Sequence, residues 1–150
     1  MIQSLINEAE IANISIYTSA SNTGTTTSSA IDMAGYESAT VLVKLGIVST
    51  GGLATCKLQQ SSDDAAADAY SDIEGSKLVS IGDASTLKFL ALEIINPQKR
   101  YIKCLVTRSA GNVVIDGIFV IKYGAKAQAV TQGSTVDGSV QIVAPAEGTA

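Results

Sequence analysis

Asn96-Pro97-Gln98-Lys99-Arg100-Tyr101-Ile102-Lys103-Cys104-Leu105-Val106-Thr107, continuing through Arg108-Ser109-Ala110-Gly111-Asn112 into Val113-Val114-Ile115-Asp116-Gly117-Ile118-Phe119-Val120-Ile121-Lys122-Tyr123-Gly124, is the stretch that decides the fold. β-Branched and aliphatic residues dominate both flanks, and side chains of that shape fill a pleated, half-buried surface. Ser, Ala, Gly and Asn between the flanks supply turn chemistry, so the sequence predicts a β-hairpin of Tyr101–Thr107 with Val113–Tyr123. Alternation turns Ile102, Cys104 and Val106 inward and Tyr101 and Lys103 outward. Asp116, inside an apolar run, must face outward or be paired, because an unpaired buried carboxylate is costly.

The same reading extends toward the N-terminus. Leu87–Ile95 is apolar on both faces, which predicts a strand covered on both sides. Lys77–Ile81 reads as a strand. Val41, Val43 and Leu45 alternate with Thr40 and Lys44, and the turn signal Thr50-Gly51-Gly52 leads to a strand over Leu53–Gln60. These two are expected to pair as a hairpin. Asn13–Tyr17 is a candidate first strand. Six or seven short strands with turn residues between them predict an all-β chain, a single β-sandwich or jelly roll.

The ends have a different composition. Ile2, Leu5, Ile6 and Ala9 allow a turn or two of amphipathic helix, too short to be stable unless it docks on something. Thr18–Ser29 is an almost unbroken Ser/Thr/Asn/Gly tract and reads as a loop or linker. After Gly124 only Ser139–Val143 looks strand-like. The expected organisation is an N-terminal arm over residues 1–29, a sandwich over 30–126 and a C-terminal arm over 127–150.

Composition narrows function. Hydrophobic residues make up 46% of the chain and charged ones only 16%, so the surface must be rich in hydroxyls and short aliphatics. Such a surface suits a protein that lives against neighbours. The net charge of −4 argues against nucleic acid as a partner. The N-terminus lacks the basic and apolar regions of a signal peptide, and no apolar run reaches membrane-spanning length, so no membrane partner and synthesis in a host cytoplasm are expected.

Chemistry is thinly supplied. With no histidine, Ser-His and Cys-His pairs and most zinc sites are ruled out. Asp63, Asp64, Asp68, Asp72 and Glu74 could attract a cation, but their spacing does not match a calcium loop and a solvated acidic loop is the preferred reading. Carboxylate pairs for glycoside hydrolysis could be drawn from Glu37, Glu74, Glu93 or Asp116, as from any β-domain. Gly51-Gly52 lacks the Lys and helix of a phosphate loop. Cys56 and Cys104 sit at inward positions of two strands, either as free thiols acting as small hydrophobes, which is preferred, or as one bridge between neighbouring strands. No catalytic residue, cofactor or metal is therefore expected.

Lys99, Arg100, Lys103 and Arg108 form a local basic patch, with Lys88, Lys122 and Lys126 in the same half of the chain. It reads equally as a solvated edge or as a docking surface for an acidic neighbour. Interface candidates are thus Ile2, Leu5, Ile6, Lys99, Arg100, Tyr101, Lys103, Val140 and Ile142.

Tyr36-Glu37-Ser38-Ala39-Thr40-Val41, Lys57-Leu58-Gln59-Gln60-Ser61-Ser62-Asp63-Asp64, Lys99-Arg100-Tyr101 and Val114-Ile115-Asp116-Gly117 together resemble a pattern of tailed-bacteriophage capsid decoration (cement, head-stabilising) proteins. The resemblance covers roughly residues 31–126. It implies a β-sandwich or jelly roll on the outside of an icosahedral virion shell, bridging neighbouring copies of the major capsid protein. It further implies self-association into trimers, with dimers second, and neither enzyme activity nor cofactor. A tail or neck structural protein of the virion would share composition and fold. A β-sandwich carbohydrate-binding module or small hydrolase is the reading from another class, and a cleft with carboxylates or stacked aromatics would favour it.

Overall fold

Burial alternates residue by residue along the central strands, as a sheet with one face on a core requires. Val41, Val43 and Leu45 are fully buried, as are Ala54 and Cys56 in the next strand and Ile102, Cys104 and Val106 in the decisive stretch. The computed structural model describes residues 4–142; Ile2 and Val143 lie outside the described residues.

Among the described residues, one helical turn, α1 (Leu5–Glu8), precedes eleven strands: β1 (Glu10–Ser15), β2 (Thr18–Ser21), β3 (Thr25–Thr27), β4 (Ile31–Asp32), β5 (Ser38–Val48), β6 (Leu53–Ser61), β7 (Ser71–Asp72), β8 (Leu78–Ile81), β9 (Phe89–Ile95), β10 (Tyr101–Ser109) and β11 (Val113–Tyr123). Sheet A has the order β1-β11-β5-β9, with β2 continuing the β1 position against β11. Sheet B has the order β3-β10-β6-β7, with β4 beside β10 and β8 beside β6. All pairings are antiparallel. Counting split strands once, four positions face four, and the chain crosses between sheets at nearly every connection. That is a jelly roll.

Neither expected hairpin forms. β5 lies in sheet A and β6 in sheet B; β10 lies in sheet B and β11 in sheet A. The loops between them arch over one end of the sandwich instead of folding a strand back beside its predecessor. The two arches interlock: Ser49 N–H donates to Asn112 O at 2.8 Å. A Cβ on Gly111 would sit 2.7 Å from Gly52 N, so glycine there permits a close approach of two loops. The turn residues do reverse the chain, but alternation is the same whether the next strand lies beside or opposite.

β11 changes phase midway. Val113 and Ile115 point inward, and so do Ile118 and Val120, because the register against β5 shifts between Ile115 and Gly117. This bulge spends its extra residue at Asp116, which turns out to solvent and lies 3.6 Å from Lys44. Both alternatives for Asp116 hold: it faces outward and it is paired. The new phase also sends Lys122 inward to a 2.9 Å ion pair with Glu10 and a position 4.5 Å from the Tyr36 ring centroid.

Three further expectations change. β9 is an edge strand with Phe89, Ala91, Glu93 and Ile95 exposed, so it is covered on one face only. The Ser/Thr/Asn/Gly tract contributes β2 and β3, and the sheets begin at Glu10, inside the segment read as an arm. Its backbone pairs with β10 and β11, and a strand at a sheet edge needs little apolar content. Ser139–Ile142 is not a strand. The C-terminal segment runs along the outside of the fold, where Val130 N–H donates to Asn7 O and Gln132 and Thr135 side chains accept from Ile11 and Asn13 N–H.

Candidate docking face

The outward side of sheet B carries three of the basic residues that the sequence singles out, Lys99, Arg100 and Lys103, and gives each a carboxylate. Arg100 holds Asp32 through two bonds, Nε to Oδ1 at 2.8 Å and Nη2 to Oδ2 at 2.7 Å. Lys99 Nζ lies 2.7 Å from Asp68, Lys103 Nζ 3.2 Å from Asp64 and Lys57 Nζ 2.8 Å from Asp72. Tyr101 lies in the same strand, with Arg100 stacked 5.0 Å from its ring centroid. Lys103 sits 4.2 Å from the Tyr70 ring centroid, and the Tyr70 hydroxyl donates to Asp64 at 2.6 Å.

The acidic loop after β6 is therefore the counter-charge of this strand face. Asp63 folds the loop by accepting the N–H groups of Ala67 and Asp68. Its carboxyl is held below the usual range chiefly by the Asp68 N–H. Hydrogen bonds from Lys99 and then Ser62 lower the Asp68 carboxyl to about 2. Tyr70 and Lys103 depress Asp64, Lys57 and Gln59 depress Asp72, and Arg100 depresses Asp32. Among the described residues, no group of His, Cys, Asp and Glu side chains could hold a metal ion.

Arg108 does not belong to this face. It is buried, and its Nη1 donates to Ser19 O at 2.7 Å, pinning β2. Lys122 is likewise internal, where burial and then the Glu10 hydrogen bond push the Tyr36 hydroxyl up to about 12. What remains is a charge-balanced mosaic, not a field of positive sign. Such a surface selects a partner by matching its pattern of charges. Beside it, Gly35, Tyr36, Glu37, Pro97, Gln98 and Lys126 line an open groove.

The terminal candidates come together separately. Asn7 Nδ2 donates to Gln141 Oε1 at 2.9 Å, which ties the segment that holds Leu5 and Ile6 to the chain around Gln141. The neighbours of Gln141, Val140 and Ile142, are 73% and 65% exposed, and Leu5 is 56% exposed. Spacing alone could not have revealed this junction, because the bond joins residues 134 positions apart. Gln132, which ties the same segment to β1, carried no sequence signal beyond being an amide in a small-residue tract. Elsewhere Glu93 accepts from the Tyr123 hydroxyl.

Among the described residues, no helix is long and apolar enough to cross a membrane. Compared with known protein families and with curated proteins, the chain matches none.

Proposed function

We propose that the protein is a structural virion protein that binds the outside of an icosahedral phage capsid and cements neighbouring major capsid subunits as a homo-oligomer. The observation that carries this reading is the joined pair of chain ends. Leu5 in one terminal segment and Val140 and Ile142 in the other are exposed in the two stretches that the Asn7–Gln141 bond joins, instead of being folded into the core. Exposed apolar residues gathered at one site mark an interaction surface. The low-charge, hydroxyl-rich surface and the charge-balanced face of sheet B support the same reading, since both suit close packing against another protein.

The mechanism is mechanical. DNA packing strains a shell, and a clamp that binds the expanded lattice more tightly than the unexpanded one stabilises it by mass action. Purified protein should co-sediment with expanded capsids of the phage that encodes it and should raise their melting temperature. Protein found only in tails, or never with virions, would end this reading.

A further inference from the structure

β9 is the long strand edge left open among the described residues. Sheet B ends in short pieces, β3 and β4 on one side and β7 and β8 on the other, none exceeding 4 residues. In sheet A the outer edge of β1 is occupied by Gln132 and Thr135. β9 has 7 residues, one charge and no strand paired on its outer side, where Ala91 and Glu93 line an open cleft with Ser76, Lys77 and Leu78. Open edges of that length and apolarity are templates for another strand.

The ladder shows which groups are free. Asn96 N–H donates to Glu37 O and Leu45 N–H donates to Lys88 O, so even-numbered positions bond β5. In an antiparallel strand the intervening residues turn their N–H and C=O the other way. Phe89, Ala91, Glu93 and Ile95 therefore present donors and acceptors outward, and the same four side chains are exposed.

We propose that β9 pairs antiparallel with β9 of a second copy of this chain, centred on Ala91. Opposed residues must share a face, so odd positions oppose odd positions. Centring on Glu93 would set two carboxylates directly opposite, and centring on Leu92 would leave them diagonal neighbours on one face. Centring on Ala91 separates them and sets each Glu93 opposite Phe89 of the other copy. Lys44, 5.5 Å from the Phe89 ring centroid and 3.6 Å from Asp116, stands behind that ring, so each carboxylate faces the ring on the side away from a cation of the other copy. A Glu93 on β9 that meets the Phe89–Lys44 pair of the other copy, in a register that keeps the two carboxylates apart, is what selects a second copy over an unrelated strand. The inference does not rest on the capsid reading.

Sedimentation velocity of the full chain should show a concentration-dependent species of twice 15.4 kDa. Amide exchange at Ala91 and Glu93 should slow as it forms, while Leu92, already bonded to β5, changes little. Ala91→Lys places two like charges at the centre of the pairing and should raise the dissociation constant about tenfold or more. Its melting curve, measured at a concentration where both proteins are monomeric, should match the wild type because Ala91 is exposed. Ala91→Pro, which removes an outward N–H, should act likewise. A chain that stays monomeric, or an oligomer indifferent to both substitutions, overturns the proposal.

Discussion

Gln132 holds its side-chain amide where a neighbouring strand would lie beside Ile11: Oε1 accepts the Ile11 N–H at 2.9 Å, while Nε2 donates to Ile6 O at 2.8 Å and Ala9 O at 2.7 Å. One side chain thus satisfies three backbone groups at the end of sheet A. Gln132→Ala should cost about 1–2 kcal/mol, less than three lost bonds because water reaches the edge. The check is urea denaturation together with exchange at the Ile11 amide, which should accelerate. Limited proteolysis should cut after Gly124 sooner in the variant, whereas Thr18–Ser29 resists because β2 and β3 are paired. An unchanged Ile11 amide would mean that the segment does not cover the edge.

Cys56 and Cys104 are free, fully buried and diagonal across β6 and β10, with sulfurs 3.3 Å apart. The hydrogen bond with Cys56 and then burial push the Cys104 thiol up, so it stays protonated and unreactive in the folded chain. Alkylation should modify both cysteines only after denaturation. Replacing both with alanine should cost about 1–3 kcal/mol through lost packing. A mass lower by a pair of hydrogens under non-reducing conditions would instead indicate a bridge.

How much was legible follows from what alternation encodes. Period two reports which side of a strand is wet, so Ile102, Cys104, Val106 and the outward Tyr101 and Lys103 were placed from sequence alone. It does not report which strand lies alongside. That is why the glycine turns at Gly51-Gly52 and Ala110-Gly111 suggested hairpins, where the chain arches between sheets. The β9 edge was misjudged for a related reason: Phe89 and Ile95 look like core, and nothing local says that no strand follows. Partnering of charges was hidden too. Asp68 and Lys99 are 31 residues apart, and only the fold shows that the acidic loop answers the basic strand.

Acid should loosen that loop first. Asp32, Asp63, Asp64, Asp68 and Asp72 all ionise more readily in the folded chain than their ordinary value. Their stabilisation is therefore complete above a carboxylate's unfolded pKa of about 4 and is lost as pH falls toward about 2, where Asp68 titrates. Melting temperature should fall across that window and change little between pH 5 and 7, which lies above it. Asp68→Asn should melt lower at neutral pH and depend less steeply on acid. Identical slopes for the two proteins would remove the Asp68–Lys99 pair from the stability of the loop.

Charge reversal at Lys99 and Arg100 tests the docking face, but it also breaks two internal pairs, so folding and binding must be measured together. Lys99→Glu with Arg100→Glu sets carboxylates against Asp68 and Asp32, and should lower the melting temperature while leaving the sandwich core intact. If the mosaic docks on a capsid, decoration should weaken as well, and more at low salt, where repulsion is less screened. Exchanging the partners, Asp32→Arg with Arg100→Asp, keeps the net charge and re-forms the pair with its sign pattern inverted. That variant should recover most of the stability yet decorate poorly. If the exchanged protein decorates as well as the wild type, the pair serves the fold alone. If the double reversal also decorates normally, attachment must run through the joined ends around Leu5, Val140 and Ile142.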